Sequence, residues 1–105
     1  VKVVKWEGLG IGGNDVGAAY SCANFPIKSV QVIGTFDSAT CTLQGSNMKD
    51  DATFASLTYD GTNAAAFTSA GIRKLQENSY WLRPVITSKG ADTDLDVYLL
   101  LVTEK

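Results

Sequence analysis

The sequence predicts an all-β protein: an antiparallel β-sandwich, jelly-roll-like, with one short helix near residues 70–77. Two observations carry that reading. Apolar residues recur mainly at every second position, and the runs that carry them are short and bounded by Gly, Asn, Asp, Ser or Pro. A third concerns size. At 105 residues, 45% of them apolar, the chain is one domain large enough to build a core without staples.

The elements follow in order. Residues 1–6, Val-Lys-Val-Val-Lys-Trp, read as a strand and not as a signal peptide. A glycine-rich connection follows over residues 8–15. Residues 16–22 read as a poor strand or as part of an extended arm, so residues 1–27 as a whole are a candidate N-terminal arm. Phe25 precedes Pro26 and is pushed toward extended geometry. Residues 28–36 alternate, with Val30, Val32 and Phe36 on one face, and Asp37-Ser38 supplies turn chemistry. Residues 38–46 alternate again: Ala39, Cys41 and Leu43 oppose Thr40, Thr42, Gln44 and Ser46. This is a hairpin with one core face and one polar face.

After a polar loop at 47–51, residues 53–59 read as a strand that ends in the turn Asp60-Gly61-Thr62-Asn63. Residues 64–67 read as another short strand. Thr68 or Ser69 then caps the short helix, because Ile72 and Leu75 lie three apart and Asn78 supplies a stop. Residues 80–88 are a strand with Tyr80, Leu82 and Ile86 on one face and Trp81, Arg83, Val85 and Thr87 on the other. Pro84 marks it as an edge strand or a bulge.

The closing segment, residues 95–102, is the most informative. Leu95, Val97, Leu99 and Leu101 share one face, and Asp96, Tyr98, Leu100 and Val102 the other. A strand with one solvated face should alternate apolar and polar, but here the second face turns apolar after Asp96. Tyr98, Leu100 and Val102 therefore form a candidate subunit interface. Trp81, on the outward face of its strand, is a candidate interface hot spot.

Chemistry-bearing patterns are sparse. With no histidine, the usual general base and the usual zinc ligand are missing, and no nucleophile–base pair can be nominated. The reading is of a non-enzyme without cofactor or metal. The glycine run lacks the Gly-Lys-Ser/Thr ending of a phosphate loop. Asp92, Asp94 and Asp96 alternate as calcium ligands can, but without the EF-hand glycine and terminal glutamate a solvated turn is preferred. The sequence leaves a Cys22–Cys41 bridge open beside two buried free thiols; two cysteines are too few for a disulfide framework, and the free thiols are preferred. A net charge of −2 argues against nucleic acid and against an anionic membrane surface as partner. With only 19% charged residues, a protein partner is weakly favoured.

Four segments carry a resemblance: Ser29-Val-Gln-Val-Ile-Gly-Thr-Phe36, Ala39-Thr-Cys-Thr-Leu-Gln-Gly-Ser-Asn47, Ala70-Gly-Ile72 and Leu82-Arg-Pro-Val-Ile-Thr87. In order and spacing they resemble small β-sandwich structural proteins of tailed bacteriophages, the capsid decoration or cement proteins. The resemblance spans about residues 28–102. It implies a structural virion protein that binds the outside of an assembled head as a homo-oligomer, with the major capsid protein and itself as partners and the capsid exterior as its location. The Leu43-Gln-Gly-Ser-Asn47 stretch also resembles discoidin-like carbohydrate-binding sandwiches, which implies the alternative of a glycan-binding module in a phage fibre or secreted protein. There the chain departs, with Met48-Lys-Asp-Asp-Ala-Thr-Phe54 in place of Asp-Gly-Thr-x-Trp.

Overall fold

The computed structural model describes residues 1–48 and 50–103. Among the described residues nine strands form two antiparallel sheets: β1 (Lys2–Leu9), β2 (Tyr20–Ser21), β3 (Ile27–Thr35), β4 (Thr40–Ser46), β5 (Ala55–Ser56), β6 (Ala66–Phe67), β7 (Gly71–Lys74), β8 (Trp81–Thr87) and β9 (Asp94–Val102). The first sheet runs β1-β9-β3-β7. The second runs β2-β8-β4-β5, with β6 also paired to β4.

This order is jelly-roll wiring. β1 pairs with β9, β2 with β8, β3 with β7, and β4 with β5 and β6, so the partners nest like the two arms of one long hairpin. Rolling that hairpin adds the β3–β9 and β4–β8 ladders, which close the two sheets.

Period two decides what each strand buries. Leu95, Val97, Leu99 and Leu101 of β9 are fully buried, as are Val30 and Val32 of β3. Cys41 and Leu43 of β4 and Leu82 of β8 meet them from the second sheet; Trp6 and Leu9 of β1 complete the same core. Both cysteines are buried free thiols. Burial pushes Cys41 up to about 12 and also raises Cys22.

Gly34 shows how tightly β3 and β9 are joined. Its φ is +122°, and a Cβ there would lie 2.3 Å from the Asp94 carbonyl oxygen. Pro84 sits in β8, between β2 and β4, and not at a sheet edge. Opposite it, Leu43 sends its N–H to the Ala65 carbonyl, while Pro84 accepts from Gly17 N at 2.9 Å. Pro84 thus occupies a position that asks no donor of it on the β4 side. On its other side the neighbour is only the irregular segment leading to the two-residue β2.

Besides the edge position expected of Pro84, three expectations are corrected. Residues 70–77 hold β7, and the short helical element is instead a single 3-10 turn at Asp51–Thr53, with Asp50 accepting from Ala52 N as its cap. Ile72 and Leu75 are three apart, which suits a helix face, but in extended chain that spacing puts them on opposite sides. Ile72 is 65% exposed and Leu75 is buried. The first 27 residues are part of the sandwich and not an arm: β1 pairs with β9 along its length, and the Trp6 indole donates to the Ala18 carbonyl at 2.9 Å. The strand expected over residues 53–59 shrinks to β5, because the 3-10 turn takes its start.

Candidate interaction surface

β9 is a central strand with one buried face. Its other face looks out of the first sheet, where the registers build rows across four strands. Val3 lies beside Leu100, Leu100 beside Ser29, and Ser29 beside Lys74. The next row is Lys5, Tyr98, Gln31 and Ile72. Val102 neighbours Ile27, and Asp96 neighbours Ile33. The result is an apolar stripe on an outer sheet face, with Val3, Ile72, Leu100, Ile27 and Ile33 all substantially exposed. Val3, Ile72, Tyr98 and Leu100, together with Ser29 and Gln31, line a hollow of about 260 Å³.

The charges on this face are largely satisfied within it. Lys5 pairs with Glu7 at 2.8 Å and lies 5.1 Å from the centre of the Tyr98 ring. The Glu7 carboxylate first, then Tyr98, holds the Lys5 ammonium above its ordinary range. Asp96 accepts from Gly8 N at 3.1 Å and so ties β1 to β9. Among the described residues no cluster of three or more Asp, Glu, Cys or His side chains is arranged to hold a metal ion.

Tyr98, Leu100 and Val102 thus lie together on one face, as their alternation predicts. Trp81 does not join them. It is half-buried on the outer side of β8, in the other sheet. Its ring centre is 5.3 Å from that of Tyr80. That second face is polar and plated by the 3-10 turn. Arg83 bonds to Asp51 at 2.9 Å and to Gln44 at 3.2 Å, and its guanidinium lies 4.0 Å from the centre of the Phe54 ring. The four interface candidates therefore belong to two surfaces facing opposite ways.

Ile72 and Lys28 were not singled out from the sequence. Ile72 was hidden by the helical reading of its segment. Lys28 is 2% exposed, inside the sandwich, and its position was legible: it shares the parity of Val30 and Val32.

No family model, no curated protein and no solved structure matches this chain.

Proposed function

We propose that this chain is a structural virion protein, a capsid decoration protein that seats on an assembled head as a homo-oligomer. The observation that supports it best is the outer face of the first sheet, where Val3, Ile72 and Leu100 stand exposed around a common hollow. Scattered apolar residues on a surface need no explanation, whereas Val3, Ile72, Tyr98 and Leu100 gathered around one hollow, with Ser29 and Gln31 between them, support a contact surface. The partner proposed, the major capsid protein, is the one that the resemblance of residues 28–102 implies.

The size of the face bears on how it would be used. Four strands about 4.8 Å apart and a strand length of about 20 Å give roughly 400 Å². A standard interface takes about 800 Å² from each partner. One such face supports weak association alone, and firm seating requires several copies acting together.

The test replaces Tyr98 and Leu100 together with aspartate. Light scattering on the parent should give a mass above one chain, and the parent should co-sediment with heads. The double variant, with unchanged circular dichroism, should lose both. A monomeric parent that ignores heads, or a variant that keeps both properties, refutes the proposal.

A further inference from the structure

One end of the sandwich carries a groove that the proposal above does not use. Ala23, Asn47, Asn78, Ser79 and Tyr80 line a space of about 220 Å³. Tyr80 is 48% exposed, so its ring forms an open apolar wall.

The polar groups of the groove are turned one way. The Asn78 side-chain oxygen accepts from the Lys28 ammonium at 2.5 Å, and the Asn47 side-chain oxygen accepts from Tyr80 N at 3.0 Å. Each oxygen already takes one donor from the protein, so the NH₂ of each amide is the end with more capacity left for a ligand. The Ser79 hydroxyl donates to the Trp81 carbonyl at 2.8 Å and is already used. The free N–H bonds of the two amides therefore favour a ligand rich in acceptors.

Behind Asn78 stands a buried cation. Among the described residues Lys28 has no carboxylate within 4 Å; the ion pairs are Lys5–Glu7, Arg83–Asp51 and Lys89–Asp15. Its neighbour Cys22 is itself buried and donates to the Ser79 carbonyl at 3.3 Å. Burial lowers the Lys28 pKa, so a negative charge brought to the groove would relieve an existing cost.

We infer that this groove binds an acidic sugar, a pyranose carrying a carboxylate. Its apolar face stacks on Tyr80, and its carboxylate and hydroxyl oxygens accept from the Asn47 and Asn78 amides in the field of Lys28. An aromatic wall beside fixed polar groups suits a ring with one apolar face and a polar rim. The amide N–H groups and a cation with no ion pair among the described residues select the acid over a neutral sugar.

The experiment is an amide NMR titration of the isolated chain with sodium glucuronate, with glucose and sodium acetate as comparators. Because it uses no heads, its outcome is separate from that of the decoration proposal. Saturable shifts at Ala23, Asn47, Asn78 and Tyr80 are expected with glucuronate, and glucose and acetate should each bind about tenfold more weakly or less. Tyr80→Ala should weaken glucuronate by about tenfold while Tyr80→Phe retains it. Lys28→Met should bring glucuronate down to the level of glucose. The inference is overturned if glucuronate gives no saturable shift, if glucose or acetate binds as well, or if Tyr80→Ala changes nothing.

Discussion

Replacing Lys28 with methionine should stabilise this protein. The lysine stem lies at the core side of β3, the residue is 2% exposed, and its ammonium has Asn78 as its hydrogen-bond partner and no ion pair among the described residues. Withdrawing an ammonium from water costs several kcal/mol even after relaxation. One hydrogen bond returns about 1 kcal/mol. Methionine keeps most of the volume, removes the charge and leaves the Asn78 amide beside an open groove, where water can replace the lost donor. A net gain of about 2 kcal/mol near neutral pH is expected, read by urea denaturation.

The pH dependence gives that prediction a sign. Burial lowers the Lys28 pKa below its unfolded value. Below the folded pKa both states hold the proton, and the full cost is present. As pH rises from there toward the unfolded value, the folded state releases its proton while the unfolded chain keeps it, and the cost fades. The advantage of Lys28→Met should therefore be largest at about pH 6 and shrink by about pH 10. Cys41, and most of the burial effect on Cys22, contribute alike to both proteins and cancel in the difference. A variant less stable than the parent at pH 6, or a difference identical at both pH values, would refute the reasoning.

Three further outcomes are expected. Leu99→Ala removes a fully buried side chain from the middle of β9 and should cost about 3 kcal/mol in chemical denaturation. Gly34→Ala meets both a positive φ and a carbonyl 2.3 Å from the new Cβ; it should cost about 3 kcal/mol and speed amide exchange along the β3–β9 ladder. Cys22 and Cys41 should resist thiol reagents in the native protein and both react once it is unfolded, since each is buried and holds its proton above the ordinary range. Above about pH 8.5 the unfolded chain ionises these thiols and the folded chain does not, so they should also subtract stability as pH rises through that window.

Much of the fold was legible because period two is a strong signal wherever a strand has one buried face. It placed Leu95, Val97, Leu99 and Leu101 inside and Tyr98, Leu100 and Val102 outside, and it put Cys41 and Leu43 opposite Thr40 and Thr42. It failed where strands are too short to show a period. β7 spans four residues, all exposed, and the Ile72–Leu75 spacing crosses its end, so a helix matched the pattern as well as a strand did. β5 and β6 have two residues each and are held by their partner β4 more than by propensity. Tyr80 was assigned the inward face of Leu82 and Ile86, yet it precedes β8, and outside the strand its parity no longer binds it. The groove was not legible at all. Ala23, Asn47 and Asn78 are far apart in sequence and meet only because three loops converge at one end of the sandwich.

The position of β9 has a consequence for how the protein is made. Its register joins Lys2 to Leu101 on one side and Ile27 to Val102 on the other. Until residues 94–102 leave the ribosome, β1 and β3 cannot share a sheet, and each waits with an unpaired edge. Contacts of such long sequence separation make for slow folding, and they prolong exposure of strand edges that other chains can capture. A chaperone, or fast translation over residues 94–102, would matter more to the yield of this fold than to one whose central strand is made before its neighbours.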